Sequence, residues 1–338
     1  PIGVTLGRAR MQVHVVGAGS WGTALTLVLA RNGLDVRIIG RDEDTLASLR
    51  ACRENLRYLP GFLLPKDVEV GSWDDLAEPA EMTVIAVPTA AVSEVLDDLK
   101  SPGRIVIASK GLTNQGDGLL TDLLEEKCPG VEVAALSGPN LALELARGIP
   151  TVAVAASTNA TTAERVRDAF MSRTYRVYVS DDIRGVELAG ALKNVLAIGA
   201  GMGDGLGFGD NTKGALLARG LNEMARLGMK MGARLDTFMG IAGVGDLFAT
   251  ASSKLSRNYR VGYALGQGRS LNAALEEVGQ VAEGVPTSEQ ARRLALKYEV
   301  PMPVHEVLWR VITGEYEARA AVQALMERTP TREGVTPS

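Results

Sequence analysis

Cysteine and histidine are scarce in this sequence, and their scarcity excludes several kinds of chemistry. The 338 residues include only Cys52, Cys128, His14 and His305. No two of them have the spacing of metal ligands, and two thiols in so long a chain do not make a disulfide framework. We therefore expect no metal site and a reducing, cytoplasmic location. Most acid–base schemes that depend on histidine are also excluded.

A surplus of charge of one sign is missing as well. The chain has 36 Lys and Arg against 40 Asp and Glu, a net charge of −4. The sequence therefore lacks the excess of positive charge that is typical of nucleic-acid-binding proteins. Charged residues at 22% and hydrophobic residues at 46% are typical of a folded globular protein. A small anionic ligand remains compatible with this composition, because a few local lysines or arginines suffice to bind it.

A long hydrophobic run without interruption is also absent. The uncharged stretch from Met11 to Ala30 follows two arginines and superficially resembles a signal peptide or a membrane span. However, Gly17, Gly19 and Gly22 lie near its centre, where they would weaken an apolar helix. We therefore predict no stable membrane insertion, and we interpret residues 1–10 as an extension before a natural start at Met11.

The first half of the chain alternates short β-branched runs with helical stretches. Several runs are nearly continuous Val, Ile and Ala, as expected for parallel strands that are buried on both faces. This alternation predicts an α/β fold with a Rossmann-like, doubly wound parallel sheet. The predicted strands are Gln12–Val16, Val36–Ile39, Met82–Val87, Arg104–Ala108, Val131–Leu136, Thr151–Ala156 and Tyr175–Val179. The helices predicted among them include Thr23–Arg31, Ala90–Lys100 and Thr161–Met171.

The pattern changes after about residue 180. Strand-like runs stop, and stretches rich in Ala, Leu, Glu and Arg follow, such as Gly185–Ala200 and Gly214–Leu227. We predict a Rossmann-like nucleotide-binding domain over residues 11–184 and an all-helical substrate domain over 185–327. Residues 328–338 contain Pro, Thr and Gly, and we expect a loose tail there.

A glycine motif lies between the first predicted strand and the helix after it. Residues 17–22 read Gly-Ala-Gly-Ser-Trp-Gly, and this context makes the G-x-G-x-x-G pattern specific for a dinucleotide. Gly17 permits the tight turn, Gly19 lets the backbone approach a pyrophosphate, and Gly22 allows close helix packing. The free N–H groups of the helix start favour the phosphates. The motif predicts NAD(P) binding, with a glycine-rich turn that binds nothing as the alternative.

The end of the second predicted strand bears on the choice of cofactor. Val36–Ile39 is followed by Gly40, Arg41 and Asp42. An arginine at this place can bind the 2′-phosphate of NADP, whereas an acidic residue binds the ribose hydroxyl of NAD. Because Arg41 comes first, NADP is favoured, and Asp42 keeps NAD open. Alternatively, Arg41 and Asp42 are two solvated charges in a loop that bind no cofactor.

One lysine stands out in the second half. Lys193 and Asn194 interrupt an otherwise apolar helical stretch over residues 188–200. Burial lowers the pKa of a lysine towards the range that is useful for proton transfer. Alternatively, the side chain reaches past its apolar neighbours to the surface. This helix alone does not separate the two interpretations.

Three further segments suggest a ligand site. Glycines at every second position from Gly199 to Gly209 predict an irregular loop. Residues 243–245 read Gly-Val-Gly and place Asp246 after a flexible turn. Residues 256–258, Ser-Arg-Asn, present three donors together, which suits a phosphate. Each segment alone is also explained as an ordinary cap or turn.

Together these motifs resemble the bacterial-type NAD(P)-dependent glycerol-3-phosphate dehydrogenase family. The resemblance covers about residues 11 to 320. It implies reversible hydride transfer between NAD(P)H and a small phosphate substrate, dihydroxyacetone phosphate, which gives sn-glycerol 3-phosphate for phospholipid synthesis. A homodimer is compatible with it. The segments that carry the resemblance are residues 17–25, 110–111, 137–139, 192–211, 243–247, 256–258 and 281–284.

The resemblance also implies roles for individual residues, with Lys193 as the catalytic proton donor and acceptor. Asn140 stands where the family usually has Ser or Thr, and its amide can still form hydrogen bonds. The implied substrate-binding residues are Lys110, Gly138, Asn140, Lys193, Asn194, Asp246, Thr250, Ser256, Arg257 and Asn258. The cofactor-binding residues are Gly17, Gly19, Ser20, Trp21, Gly22, Arg41, Lys110, Ala142, Arg257, Val281 and Glu283.

Two other functions remain open from the sequence. A hydroxy-acid dehydrogenase with the same N-terminal fold would need a carboxylate site and would not need the donors at 256–258. A non-catalytic NADP-binding sensor would keep the glycine motif. It would have no reason to keep Lys193, Asn194 and Asp246 as a set.

Overall fold

The computed structural model describes residues 10–115 and 118–327, and its first half is built around one sheet. The predicted tail over 328–338, and residues 1–9 of the predicted extension, lie outside the described residues. The strands are β1 (Gln12–Val16), β2 (Asp35–Ile39), β3 (Glu54–Asn55), β4 (Leu59–Leu63), β5 (Glu69–Gly71), β6 (Ala80–Ile85), β7 (Pro102–Ile107), β8 (Glu132–Ser137), β9 (Thr151–Ala156) and β10 (Tyr175–Ser180).

Eight of these strands form a sheet in the order β10-β9-β8-β7-β6-β1-β2-β5. All seven predicted strands are present, and the predicted doubly wound sheet is confirmed. Within the described sheet β9 and β10 depart from the common direction, because β9 runs antiparallel to β8, with Ala156 opposite Ala135, and β10 runs parallel to β9. A buried apolar run has the same composition in either direction, so the sequence did not reveal this reversal. The short strands β3, β4 and β5 were not predicted.

Helices cover the sheet and form the second half. Among residues 10–115 and 118–327, none of them combines the length and apolarity needed to cross a membrane. The helices are α1 (Ser20–Arg31), α2 (Glu43–Ala51), α3 (Val92–Asp98), α4 (Leu120–Lys127), α5 (Ala142–Ala146), α6 (Ala160–Phe170), α7 (Ile183–Gly205), α8 (Asp210–Lys230), α9 (Leu235–Met239), α10 (Asp246–Ala251), α11 (Arg257–Gly266), α12 (Leu271–Val278), α13 (Gly284–Lys297), α14 (Pro303–Ile312) and α15 (Ala318–Met326).

Helix α7 is the centre of the helical half. It is buried from Gly185 to Met202 on all sides, as expected for a helix that is apolar around its whole circumference. Helices α8, α10, α11, α13 and α14 pack around it. The chain changes from sheet to helices between Ser180 and Ile183, which supports the proposed division of the domains at residues 184 and 185.

The prediction of an irregular loop from Gly199 to Gly209 is wrong for most of that segment. Helix α7 continues to Gly205, and only residues 206–209 form a connection before α8. Two of these glycines, Gly201 and Gly205, lie where α11 crosses α7 at backbone contact. A Cβ on Gly201 would lie 2.0 Å from the carbonyl oxygen of Tyr259, and one on Gly262 would lie 1.8 Å from that of Ile198. Tertiary packing here outweighs the low helix propensity of glycine.

Candidate active site

The glycine motif forms the turn between β1 and α1. Gly17 has a φ of +119°, and a Cβ there would lie 2.6 Å from the carbonyl oxygen of Ala86. A Cβ on Gly22 would lie 1.8 Å from the carbonyl oxygen of Gly17, whereas Gly19 faces open space. Helix α1 begins at Ser20 and directs its first N–H groups towards this space. These residues fit the pyrophosphate of a dinucleotide.

A cavity of about 800 Å³ extends from this turn. It also includes the residues after β2, Lys110 after β7, and the segment before α13, a combination that fits an extended dinucleotide. Gly22 and Ala142 do not line it, since Gly22 supports the turn and Ala142 packs against the sheet core. The predicted site residues that line it are Gly17, Gly19, Ser20, Trp21, Arg41, Lys110, Asn194, Arg257, Asn258, Val281 and Glu283.

Beside the cavity two lysines share one buried carboxylate. Lys193 Nζ lies 2.8 Å from Asp246 Oδ1, and Lys110 Nζ lies 2.8 Å from Asp246 Oδ2. Lys193 also donates to Thr250 Oγ1 at 2.6 Å, and Lys110 donates to the Gly138 carbonyl at 2.7 Å. Asp246 is reached through a turn of π-helix at Ile241–Gly245, which leads into α10. The fold thus joins four segments that are far apart in the chain.

The charges in this cluster shift the pKa of both buried partners. Burial lowers the pKa of Lys193 to about 8, with Lys110 adding repulsion and Asp246 opposing the shift. Burial alone would raise the pKa of Asp246, but the two ammonium groups outweigh it and keep that pKa below its ordinary value. Lys193 can therefore hold or release a proton near neutral pH, while Asp246 stays ionised.

A chain of amides connects this cluster to the end of the cavity. Asn194 Nδ2 donates to the Lys110 carbonyl at 3.1 Å, and Asn258 Nδ2 donates to Asn194 Oδ1 at 2.9 Å. Asn258 Oδ1 accepts from the backbone N–H of Gly284 at 2.9 Å. The two asparagines, implied above as substrate ligands, therefore also hold α7, α11 and α13 together.

The three donors at residues 256–258 have different partners. Ser256 caps α11, since its Oγ accepts from the Tyr259 N–H at 3.2 Å. Arg257 begins that helix and lines the cavity, and burial lowers the pKa of its guanidinium while Glu283 opposes the shift. Glu283 in turn accepts from the backbone N–H of Thr89 at 2.8 Å. Arg257 is thus the cationic member of this triplet at the cavity.

Comparison with known proteins decides the family. The family model described as NAD-dependent glycerol-3-phosphate dehydrogenase N-terminus matches residues 12–163, and the corresponding C-terminus model matches residues 182–323. The glycerol-3-phosphate dehydrogenase [NAD(P)+] of Desulfitobacterium hafniense is 44% identical over 94% of this chain and 91% of its own length. The chain belongs to the glycerol-3-phosphate dehydrogenase family.

Other members agree with this placement. The glycerol-3-phosphate dehydrogenase [NAD(P)+] of Bacillus anthracis is 44% identical over 95% of this chain and 97% of its own length. The crystal structure of glycerol-3-phosphate dehydrogenase from Coxiella burnetii superposes with a TM-score of 0.91 at 37% identity. It covers 95% of this chain and 100% of that one. The resemblance drawn from the motifs is therefore confirmed along nearly the whole chain.

Asn140 departs from the pattern noted for glycerol-3-phosphate dehydrogenases, and the structure shows where its amide is used. Its Nδ2 donates to the Val152 carbonyl at 2.8 Å, and its Oδ1 accepts from the Tyr175 hydroxyl at 3.1 Å. Both ends of the amide thus hold β9 and β10 near the Gly138 turn. The substrate contact implied for Asn140 stays a prediction.

Some site residues of this family member carried no sequence signal. Trp73 lines the cavity and stacks against Arg41, with the guanidinium carbon 3.7 Å from the ring centroid. Thr89 holds Glu283 with a backbone N–H, which no side-chain pattern can reveal. Among residues 10–115 and 118–327, no three His, Cys, Asp or Glu side chains are grouped as metal ligands.

Proposed function

We propose that this chain interconverts dihydroxyacetone phosphate and sn-glycerol 3-phosphate with NADPH or NADH, and that Lys193 transfers the proton. The observation that carries the proposal is the buried Lys193–Asp246–Lys110 cluster beside a dinucleotide-shaped cavity. Relatives that are 44% identical bear the name glycerol-3-phosphate dehydrogenase [NAD(P)+]. The nicotinamide, when bound, supplies hydride to the ketone carbon or accepts it from the alcohol.

The residues of the cluster have separate tasks in this scheme. In the reduction, the Lys193 ammonium donates a proton to the oxygen on which negative charge develops. In the oxidation, neutral Lys193 accepts it. Asp246 and Thr250 bind the Lys193 Nζ and fix its position. Lys110 adds a second positive charge within the same low-dielectric site.

The substrate phosphate needs a cationic partner, and Arg257 is the residue we assign to it. Its guanidinium can bind a phosphate with two parallel hydrogen bonds. Binding energy from this remote group would hold the carbonyl in position for the reaction. A non-catalytic sensor would need neither this arginine nor a lysine with a pKa of about 8.

We further propose that NADPH is preferred over NADH. Arg41 lines the cavity after β2, where the 2′-phosphate of NADP would lie. The competing acid, Asp42, is already engaged, because its Oδ2 accepts from Thr45 Oγ1 at 2.5 Å and from Arg57 at 2.9 Å. These bonds make Asp42 less available to a ribose hydroxyl than Arg41 is to a phosphate.

Three broader points are proposals as well. The free thiols of Cys52 and Cys128 fit a reducing, cytoplasmic compartment. The product, sn-glycerol 3-phosphate, would supply phospholipid synthesis. The third proposal is a homodimer, which would be identified by the mass of the protein in sedimentation equilibrium at several concentrations.

One assay tests the reaction directly. The purified protein is mixed with NADPH and dihydroxyacetone phosphate, and the loss of NADPH absorbance is followed against a control without substrate. We expect NADPH oxidation that depends on the substrate and yields sn-glycerol 3-phosphate. If the protein bound NADPH but oxidised none with this substrate, the proposed reaction would be abandoned.

A further inference from the structure

We propose that Trp73 and Glu94 set how strongly Arg41 discriminates NADP from NAD, with opposite effects. Trp73 is a positioning residue that holds the guanidinium. Glu94 is a carboxylate of the protein that competes with the 2′-phosphate for that guanidinium. This inference rests on the proposed assignment of Arg41 to that phosphate. It extends the assignment to two residues that lie on different segments of the chain.

The position of Trp73 is fixed from two sides. Its indole Nε1 donates to Asp98 Oδ2 at the end of α3, at 2.6 Å. Its own segment, the 3₁₀ helix Trp73–Ala77, begins with a capping box in which Ser72 and Asp75 bind each other's backbone N–H groups. The ring therefore presents a fixed face to the cavity, and both Trp73 and Arg41 line that cavity.

This fixed ring restrains the guanidinium of Arg41. The guanidinium carbon lies 3.7 Å from the ring centroid, within the range of a cation–π interaction. An arginine side chain loses much rotamer freedom when it binds a ligand, and that loss weakens binding. Because the stack orders Arg41 beforehand, less freedom is lost when a phosphate arrives. NADH lacks the 2′-phosphate, so ordering Arg41 beforehand should strengthen NADH binding only slightly.

Glu94 acts on the same guanidinium in the other direction. It lies in the first turn of α3 and forms an ion pair with Arg41 Nη2. The side chains of Arg41 and Glu94 are 43% and 57% exposed, so the pair is weak enough to be displaced by a phosphate dianion. A bound 2′-phosphate would still lie close to the Glu94 carboxylate, and like charges repel. NAD brings no such charge, so Glu94 penalises NADP alone.

Calorimetric titration of the full-length protein with NADPH and NADH tests both roles. The quantity compared is the Kd for NADH divided by the Kd for NADPH. Trp73→Leu should lower this ratio about three- to tenfold, chiefly by weakening NADPH. Glu94→Gln should raise it about threefold or more. Titration with 2′,5′-ADP and with AMP should repeat both changes, because these probes differ only at the 2′-phosphate.

Matched variants separate these effects from general ones. Trp309→Leu removes another arginine–tryptophan stack, in which Arg292 lies 4.3 Å from the ring centroid, away from the cavity. Asp97→Asn makes the same charge change as Glu94→Gln on the same helix, where Asp97 pairs with Lys127. Both should leave the ratio within about twofold of wild type. Trp73→Phe keeps an aromatic face and should retain most of the ratio even if Trp73→Leu fails to fold.

The outcomes distinguish this inference from the proposed cofactor preference. A wild-type protein that bound NADPH and NADH equally would overturn both. If the wild type preferred NADPH but folded Trp73→Leu and Glu94→Gln kept its ratio, only the present inference would fail. If Trp309→Leu or Asp97→Asn shifted the ratio as much as its counterpart, the effect would be general, and the assigned role would be withdrawn.

Discussion

The Lys193 ammonium lies 2.8 Å from Oδ1 of Asp246, and both side chains are almost fully buried. The bond joins α7 to the start of α10. Removing Asp246 would leave the buried Lys193 charge without its carboxylate, which costs more than the bond itself contributes, whereas Asp246 would keep Lys110 as a partner if Lys193 were removed. In this site the carboxylate keeps Lys193 charged in a place where burial favours the neutral amine. This balance underlies the first two predictions.

Replacement of Lys193 by Ala should lower kcat by about 10² or more, because no other group at this position can deliver the proton. The NADPH Kd, measured by titration, should change little, since Lys193 does not line the cavity. Lys230→Ala, an exposed lysine at the end of α8, serves as the control. Retention of most of the kcat by folded Lys193→Ala would rule out the acid–base role.

The pH dependence should follow the Lys193 pKa of about 8. Ketone reduction needs the protonated amine, so kcat/KM for dihydroxyacetone phosphate should fall as the pH rises through about 8. Alcohol oxidation needs the neutral amine, so kcat/KM for sn-glycerol 3-phosphate should rise over the same pH range. Asp246→Asn removes the charge that holds the proton, so its midpoint should move to lower pH. An unchanged midpoint in Asp246→Asn would contradict this assignment.

Arg257→Ala should selectively affect substrates that carry a phosphate. Wild type is expected to prefer dihydroxyacetone phosphate strongly over dihydroxyacetone, and the variant should shrink that ratio of kcat/KM by about tenfold or more. Arg257→Lys should also lower it, because an ammonium cannot reproduce two parallel hydrogen bonds. Equal loss on both substrates would mean that Arg257 serves the fold or the cofactor instead.

Arg41→Ala should raise the KM for NADPH at least about tenfold and leave that for NADH nearly unchanged. The expectation follows from the value of a charge-assisted hydrogen bond, roughly 1.5–3 kcal/mol. Initial rates with each cofactor at saturating substrate provide the measurement. The assignment of Arg41 to the 2′-phosphate would be dropped if both KM values rose together.

Glu187→Gln should make the stability of the protein less dependent on pH. Burial raises the Glu187 pKa from 4.5 to about 7, although Leu120 and Thr121 at the start of α4 donate hydrogen bonds to it. The folded state therefore retains this proton where the unfolded state has lost it. The resulting stabilisation, on the order of 3 kcal/mol, is present below about pH 4.5 and is lost as the pH rises through about 7.

Denaturant unfolding at pH 5 and pH 8 measures this effect. The difference between the two free energies of unfolding should shrink in Glu187→Gln. Glu126→Gln, an exposed glutamate on α4, should leave that difference as in wild type. Equal differences in wild type and Glu187→Gln would show that the buried carboxyl does not titrate in this range.

The local chemistry of the cofactor turn could be predicted from the sequence. A turn between a buried strand and a helix is a short-range feature, so the spacing of Gly17, Gly19 and Gly22 was enough to place it. The apolar runs likewise identified the central strands, because strands buried on both faces need such residues. The polar pair Lys193 and Asn194 stood out for the same reason, since they interrupt a helix that is otherwise apolar.

Other features depended on contacts between distant segments. Gly201 and Gly205 look like helix breakers until α11 is seen to pack against the α7 backbone. The direction of β9 relative to β8 was undetermined, because an apolar run has no polarity of its own. Both Asn140 hydrogen bonds are made to β9 and β10, which follow it in the chain.

The sequence by itself determined the glycine turn, the βαβ order, the helical second half and the candidates for chemistry. Each of these depends on residue types at short spacing. Only the tertiary structure decided that Lys110 and Lys193 share the Asp246 carboxylate, and that Trp73 lies under Arg41. Partners of this kind are chosen by the packing of whole helices and strands. A pKa near 8 for Lys193 therefore belongs to the folded protein, because burial and the charges of Asp246 and Lys110 produce it together.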